Sequence, residues 1–361
     1  ELILSLGPLL TFVLIAAALF PIIEIRPVRD GFWRIMDAPW SRVEQTVEQL
    51  FGPVDIGVSR GGRYGPWSGG AMPRSHLLGG RPDLSETIVL YASTNDPPPP
   101  LEPEDPSAIE DPMPSHPVRY WRGETFDSYT GLGWNNSRLE SRPLAAHRYL
   151  DRNPSPGPDL IQQIQPVAPR DTRIYAVNSP YRLDIPVQAW WRDPGDFAFL
   201  TREAGTYTAF SRPPEPTIVE LRASSLLTIP VPAEVAEHYL ALPDTVPRSV
   251  LDLAQQVTGE APSRYDQAKA IEAFLRNYPY NLDLPDPPDD RDLVEYFLFE
   301  LQEGYCDYYA SSMVVMARAV GIPARLASGY VQGSYDHDAQ RWVVTEEDGH
   351  SWVEVYFDGH G

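Results

Sequence analysis

Cys306 is the only cysteine among the 361 residues of this chain. No disulfide can form within the chain, so its fold must be held together by packed apolar cores. A hydrophobic content of 42% with nine tryptophans is enough to build such cores. The one thiol directly precedes a strong helix pattern, which makes the same residue the first candidate for chemistry.

The net charge of the chain limits its partners. It amounts to −21 at pH 7, and Lys269 is the only lysine. Such a surface repels phosphate backbones, which argues against binding to nucleic acid. One cysteine, with no pair of histidines at ligand spacing, leaves no pattern for a zinc site, and no metal or other cofactor is predicted.

The N-terminal residues form an uncharged apolar run. Residues 2–23 would span roughly 33 Å as a helix, enough to cross a bilayer core of about 30 Å. We therefore predict a transmembrane helix over residues 1–25 that anchors the chain in a membrane. A secretory signal peptide fits less well, because the run is too long and no basic region precedes it.

The charges that follow this run bear on orientation. Arg26, Arg29 and Arg34 come directly after it, and by the positive-inside rule they would place the rest of the chain in the cytoplasm. Further membrane helices upstream could outweigh them, since large domains translocate largely regardless of such charges.

Composition and periodicity predict two segments between the membrane helix and the C-terminal part. Residues 26–85 read as a juxtamembrane helix followed by a glycine-rich linker. Residues 86–230 read as an all-β domain with a proline-rich acidic insertion at 96–117, which holds nine prolines. The strand patterns of this domain are 87–92, 118–126, 173–177, 187–191, 197–201 and 217–221.

Residues 231–361 return to helical periods and are predicted to form the catalytic domain. The predicted helices are 233–242, 250–258, 263–277 with Ser263 as N-cap, 293–301, and one from Cys306 that ends at Gly321. On that last helix a single buried stripe is predicted, formed by Tyr309, Met313, Met316, Ala317 and Val320. Strands at 324–331, 341–345 and 351–357 are predicted to form an antiparallel meander.

Cys306 and His350 are the candidate catalytic residues. A thiol at a helix start lies beside backbone N–H groups and the positive end of the helix dipole, and both favour the thiolate. His350 follows 44 residues later at the start of a predicted strand, where alternation fixes its position relative to the sheet. A thiol and an imidazole placed in this way are two members of a cysteine acyl-transfer site.

Four blocks of the C-terminal part resemble the transglutaminase-like superfamily. They are 304–310 (GYCDYYA), 318–326 (RAVGIPARL), 328–331 (SGYV) and 350–356 (HSWVEVY). The resemblance covers residues 245–361. The block 120–134 (YWRGETFDSYTGLGW) and the apolar run are similar to the bacterial membrane-anchored branch of that superfamily, in which the catalytic part is extracytoplasmic.

The resemblance implies an α+β fold with a papain-like core, a helix-start cysteine beside an antiparallel sheet. It implies a Cys-His-Asp triad with Cys306 as nucleophile and His350 as base, and it places the acidic member beyond Gly361. The Cys306 backbone N–H is a natural oxyanion donor, whereas the second donor is not identified and Gln302 is only a weak candidate.

The implied activity is acyl transfer from peptide or protein carboxamides through a thioester. An amine acceptor would give a transglutaminase-type cross-link, and water would give a protease or amidase; the motifs do not separate the two. The alternative is a non-catalytic scaffold or binding module at the cell surface on the same fold, but such a protein would be expected to have lost the cysteine or the histidine. The oligomeric state is left open.

Overall fold

The structure is a computed structural model. The residues it describes belong to one compact unit, 62–361. Among them, no helix is both long enough and apolar enough to cross a bilayer. The predicted transmembrane and juxtamembrane helices, with most of the proline-rich insertion, lie outside the described residues, so the membrane anchor and the location of the catalytic part stay predictions. The described residues are 76–77, 85–100, 117–150, 156–167, 172–193, 195–203, 205–226, 228–288 and 290–360.

Strands dominate the first part of the described chain and helices the second. The strands are β1 His76–Leu77, β2 Ile88–Thr94, β3 Trp121–Phe126, β4 Ser128–Tyr129, β5 Gly133–Asn135, β6 Glu140–Leu144, β7 Leu160–Pro166, β8 Ala176–Val177, β9 Pro180–Leu183, β10 Val187–Asp193, β11 Asp196–Thr201, β12 Tyr207–Ser211, β13 Ala324–Tyr330, β14 Ser334–Asp336, β15 Arg341–Thr345 and β16 Gly349–Val355. The helices are α1 Ile218–Ser224, α2 Ala233–Tyr239, α3 Arg248–Thr258, α4 Arg264–Leu275, α5 Leu293–Tyr296, a π-helical turn Phe297–Leu301, α6 Cys306–Ala319 and a 3-10 turn Glu346–Asp348.

Two large antiparallel sheets organise this mixed α/β fold. One has the order β16-β13-β3-β11-β10-β6, with β8 also pairing β3, and the other has the order β14-β15-β2-β7-β12-β9. β3 pairs with β13 and β2 pairs with β15. Each of the two sheets therefore contains strands from before and from after residue 230. The predicted domain boundary at this residue does not separate the sheets.

Two hydrophobic cores hold the unit together. The first contains residues of α3 to α6 packed with Ala324 and Leu326 of β13. The second contains residues of both large sheets, among them Trp121, Tyr330 and Trp342. The helices thus pack against the sheet that carries the C-terminal motifs.

Helix α6 begins and ends as its sequence predicts. Gly321 has a left-handed backbone (φ 80°), its N–H donates to the Arg318 carbonyl, and the Ile322 N–H donates to the Ala317 carbonyl. This is the double hydrogen bond of a Schellman motif, and it confirms Gly321 as the residue that ends the helix.

The burial of α6 differs from the single stripe predicted. Tyr308, Ser312 and Val315 are buried, whereas Tyr309 and Met313 are only partly buried. The stripe was wrong because the helix is enclosed by α3, α4 and α5 and by strands β13 and β16. Enclosure on several sides fixes the position of its first turn.

The predicted meander is also wrong. β13 pairs directly with β16, from Ala324 opposite Val355 to Tyr330 opposite Gly349. The hairpin of β14 and β15 instead joins the other sheet through β2. A sharp turn at Gly333 (φ 78°) starts this excursion, and a Cβ there would lie 2.4 Å from the Val343 carbonyl oxygen.

One predicted strand is a helix. Residues 217–221 were predicted as a strand from their β-branched residues, but Thr217 caps α1. The Thr217 hydroxyl accepts a hydrogen bond from the Glu220 N–H, and the Glu220 carboxylate accepts one from the Thr217 N–H. This capping box stabilises a helix start strongly enough to outweigh the strand preference of Ile218 and Val219. The predicted N-cap Ser263 is confirmed on α4.

Candidate active site

Cys306 is the first residue of α6. Tyr305 before it has an extended backbone (φ −118°, ψ −179°) and gives no side-chain cap. The Tyr308 N–H donates to the Tyr305 carbonyl at 3.0 Å, whereas the first N–H groups of a helix have no acceptor within it. The Cys306 sulfur accepts hydrogen bonds from two backbone N–H groups, those of Asp307 and Ser351.

His350 is positioned by strand pairing. It lies in β16 opposite Gly329 of β13. A Cβ on Gly329 would lie 2.0 Å from the Trp121 carbonyl oxygen, so glycine permits the close approach of β3 to β13 at this point. The edge of the His350 ring faces Tyr120, with 6.3 Å between ring centroids.

The structure places both predicted residues near Asp307. The Ser351 N–H, next to His350, bonds the Cys306 sulfur. The charge of buried Asp307 acts on both groups, since it raises the pKa of the thiol and that of the imidazole. The pair therefore shares one electrostatic environment, and its catalytic roles are taken up under the proposed function.

The backbone N–H groups at the helix start favour the thiolate, as predicted, but burial and Asp307 outweigh them. Burial raises the pKa of the Cys306 thiol well above its ordinary value, and the Asp307 carboxylate raises it further. The Cys306 sulfur lies 3.7 Å from Asp307 Oδ1, a carboxylate that repels the thiolate and can accept from the thiol. The two N–H hydrogen bonds lower the pKa without offsetting these effects.

Burial has the opposite effect on His350, because it disfavours the charged imidazolium. It lowers the pKa of His350 below the usual value of 6.5, although the nearby Asp307 charge raises it in part. At neutral pH both groups are then uncharged: a protonated thiol beside a neutral imidazole. The arrangement suits general-base activation of the thiol rather than a preformed ion pair.

Replacing Asp307 by Asn will change the pH dependence of both groups. Because the carboxylate raises both pKa values, its loss will lower the thiol pKa and lower that of His350 further. Alkylation of Cys306 by iodoacetamide at pH 8 will therefore become faster, and any rate that depends on neutral His350 will be lost only at lower pH. Rates measured from pH 4 to 10 test both directions.

A matched control for this change is Asp266→Asn, which removes a carboxylate from the first turn of α4. It leaves the Cys306 environment intact, so alkylation should match that of the unchanged protein. Slower alkylation in the Asp307→Asn variant would contradict the assigned direction.

A groove of about 770 Å³ lies beside Tyr120, and the residues that line it do not include Cys306 or His350. Tyr120 lines it and also packs on Trp352, with ring centroids 5.1 Å apart. Because Tyr120 contacts His350 as well, it joins the groove to the imidazole. The volume falls in the range of ligand-binding clefts.

An ion-pair network contributes charged groups to the lining of this groove. Arg122 Nη1 lies 2.9 Å and Arg325 Nη2 2.7 Å from the Glu354 carboxylate, and Arg325 also bonds Asp196 at 3.0 Å. Burial raises the pKa of Glu354, but the two arginines outweigh it and hold that pKa at about 2. Glu354 therefore stays ionised. It lines the groove together with Trp352, because residues two apart on a strand face the same side of the sheet.

Sequence reasoning missed a tyrosine beside the start of α6. Tyr280 forms a parallel bridge with Gly304, two residues before Cys306 in the chain, and burial with the nearby Cys306 raises the pKa of Tyr280 to about 12. No periodicity marks Tyr280, which lies in the loop after α4. The weak candidate Gln302 instead ends the π-helical turn with a left-handed backbone (φ 52°). In the part of the chain that the structure describes, no three His, Cys, Asp or Glu side chains form a group that could hold a metal ion.

Comparison with protein families and curated proteins supports the resemblance. Residues 251–361 match the family described as the transglutaminase-like superfamily. A Bacillus subtilis (strain 168) protein named "Uncharacterized protein YebA" is 31% identical over 273 residues, 67% of this chain and 36% of the relative. A Pseudomonas aeruginosa protein named "Protein-glutamine gamma-glutamyltransferase" is 26% identical over 257 residues, 69% of this chain and 35% of the relative. The chain thus spans about a third of the length of these relatives.

A solved structure shows a similar fold. The periplasmic domain of TgpA from Pseudomonas aeruginosa matches with a TM-score of 0.56 and 22% sequence identity, over 77% of this chain and 86% of that one. At this identity the likeness concerns the fold. The mixed α/β architecture around α6, β13 and β16 therefore has a solved counterpart.

Proposed function

Since residues 251–361 are a transglutaminase-like core, we propose that this protein is a thiol acyltransferase that moves the acyl group of a peptide or protein carboxamide to an amine. The main support is the position of the Cys306 thiol, which lies at a helix start and is acted on by the N–H of Ser351, the residue next to His350. Cys306 is the proposed nucleophile and His350 the proposed base.

The uncharged state of both groups defines the first step. Neutral His350 takes the Cys306 proton as the sulfur attacks the carboxamide carbon, and the carbonyl electron pair moves to oxygen. The Cys306 N–H, at the unpaired end of the helix, can donate to this oxyanion. When the carbonyl re-forms, the C–N bond breaks, ammonia leaves with the proton held by His350, and a thioester remains.

The second step consumes the thioester. An incoming amine attacks the thioester carbon, His350 accepts its proton, and the sulfur leaves to be reprotonated. His350 must reach both the departing ammonia and the incoming amine, so the acceptor enters on the imidazole side. The groove lined by Tyr120 and Trp352 adjoins the imidazole through Tyr120, and we assign the acceptor to it.

Two observations favour an amine acceptor over water. One curated relative is named a protein-glutamine gamma-glutamyltransferase. The net charge of −21 attracts cationic partners, including lysine-rich proteins.

Mass spectrometry of a glutamine-containing peptide, with and without an added primary amine, tests this function. We expect a peptide whose mass gains that of the amine less ammonia, and a smaller gain from deamidation when no amine is present. Cys306→Ala is the control and should give neither product.

The other outcomes identify the rival functions. Deamidation or peptide cleavage at an unchanged rate in excess amine would indicate a hydrolase. Stable binding of peptide or protein without any Cys306-dependent product would indicate the non-catalytic scaffold. Either result would contradict the proposed transfer.

A further inference from the structure

Strand β3 carries a β-bulge where it pairs with β13. Ser328 of β13 lies opposite Glu124 of β3. The next residue, Gly329, lies opposite Arg122 rather than opposite Gly123. Gly123 is therefore an extra residue in β3. Bulges of this kind bend a strand and change the direction of its side chains, often next to active sites.

The bulge determines which side chains of β3 share a face of the sheet with His350. Directly opposite residues of neighbouring strands point to the same face, and successive residues of a strand alternate. Gly329 lies opposite Arg122 on one side and opposite His350 on the other, so all three belong to one face. In a regular pairing Gly123 would take the place of Arg122, and the side chain of Arg122 would point to the other face.

The ring of Tyr120 lies on this same face and reaches His350. Tyr120 directly precedes β3, and β13 lies between β3 and β16. Because Gly329 has no side chain, the space above β13 is open to the ring. The ring centroid of Tyr120 lies 6.3 Å from that of His350, with 68° between the planes, and 5.1 Å from that of Trp352. Tyr120 is 38% exposed and lines the groove.

We propose that Tyr120 is a positioning residue, whose ring holds the imidazole of His350 in the orientation needed for proton transfer. This deepens the proposed function and rests on the assignment of His350 as the base. The imidazole has to serve the Cys306 thiol, the departing ammonia and the incoming amine, so its ring must keep one orientation through both steps. Aromatic rings in contact prefer defined relative orientations, and the contact with Trp352 in turn restricts the ring of Tyr120.

The charged groups around His350 are independent of the Tyr120 ring. Asp307 of α6 acts on the imidazole, and on the shared sheet face Arg122 is paired with Glu354 at 2.9 Å. Burial lowers the pKa of His350 below 6.5. Removal of the Tyr120 ring admits water to the imidazole, so this pKa should rise towards 6.5. A rate that needs the neutral imidazole should then be lost at higher pH on acidification.

Acylation of Cys306 by p-nitrophenyl acetate measures this role, because it needs the thiol and its base but no carboxamide. The sulfur attacks the ester carbon, its proton passes to His350, and p-nitrophenolate leaves. For Tyr120→Ala we expect acylation at pH 7 to slow by about 10- to 100-fold, the usual cost of a misplaced reacting group. The loss of rate on acidification should also move to higher pH. Tyr120→Phe keeps the ring and should stay within about threefold of the unchanged protein.

Tyr335→Ala is the matched control. Tyr335 also contacts one histidine and one tryptophan, with ring centroids 4.9 Å from His337 and 4.8 Å from Trp342, but it lies in the hairpin of β14 and β15. Its loss should change neither the acylation rate nor its pH dependence. Equal slowing in Tyr335→Ala would mean that general packing is measured. An unchanged rate in Tyr120→Ala, or a rate as low in Tyr120→Phe, would exclude the ring as the positioning group. Each of these results overturns the proposal.

NMR titration of the His350 imidazole separates this inference from the proposed function. The signal is assigned by its absence in His350→Gln, and its titration midpoint needs no substrate. We expect the midpoint to rise in Tyr120→Ala and to stay unchanged in Tyr335→Ala; an unchanged midpoint in Tyr120→Ala overturns the inference. Absence of Cys306-dependent acylation in the unchanged protein, with Cys306→Ala as background, would contradict the proposed function, and the midpoint alone would then decide whether Tyr120 sets the environment of the imidazole.

Discussion

Replacing His350 by Ala will lower acyl transfer from a glutamine peptide by about 10⁴- to 10⁶-fold, as expected when one member of a catalytic unit is removed. The reason is that the Cys306 thiol is protonated at neutral pH, its pKa being raised by burial and by Asp307, so the thiol needs a base to react. Single-turnover kinetics with a saturating peptide measure the loss directly.

His337→Ala is the control for this variant. His337 lies exposed between β14 and β15, packed against Tyr335 and away from the thiol, and its loss should change turnover by less than about twofold. Cys306→Ala should abolish turnover. Retention of more than a tenth of the activity by His350→Ala would exclude it as the base.

Local signals predicted the parts of the site that lie within one element. The start of α6 at Cys306, its end at Gly321 and the N-cap Ser263 are each set by backbone groups a few residues away. They were confirmed because such hydrogen bonds depend on neighbours in sequence. The helix α1 was predicted as a strand because its residues prefer strands. The capping box of Thr217 and Glu220, which is also a local signal, indicates a helix instead.

Pairings between distant segments could not be predicted in this way. β3 meets β13 some 200 residues later, and β14 and β15 leave their chain neighbours to join β2. Strand alternation indicates which face is buried but not which strand is adjacent. The assignment of three consecutive C-terminal strands to one meander rested on chain order alone.

The electrostatics of the site depend on the same distant pairings. The sequence places Asp307 in the first turn of α6, where a carboxylate favours the dipole. Only the packing of α6 against β16 shows that this carboxylate is buried beside Cys306 and His350. Tyr280 likewise lies beside the start of α6 only because its loop pairs with Gly304.

The ion-pair network in the lining of the groove joins β16 to its neighbouring strands. Glu354 accepts from Arg122 of β3 and from Arg325 of β13, so one carboxylate links three neighbouring strands, including the strand that carries His350. The side chain of Arg122 is 5% exposed. Two largely buried guanidinium groups would lose their shared partner if Glu354 were neutralised.

Replacing Glu354 by Gln will destabilise the fold by about 3 to 5 kcal/mol, the usual cost of breaking a buried pair by removing one partner. Acidification of the unchanged protein will have a related effect. The pKa of Glu354 is lowered from 4.5 to about 2 on folding, so its stabilisation is complete above about pH 4.5 and is lost as the pH falls towards 2. That shift corresponds to about 3 kcal/mol.

Urea unfolding at pH 7 and at pH 3 measures both effects, with Asp252→Asn as the matched control. Asp252 pairs with Arg248 at 2.9 Å on an exposed helix face, with side-chain exposures of 59% and 78%, and its loss should cost less than about 1 kcal/mol. The Glu354→Gln variant should also lose less stability on acidification than the unchanged protein, because it lacks the group that titrates. Two results would show that the network does not hold β16: an equal loss of unfolding free energy in the two variants at pH 7, or an equal pH dependence of Glu354→Gln and the unchanged protein. The position of His350 would then rest on its strand pairing with Gly329 alone.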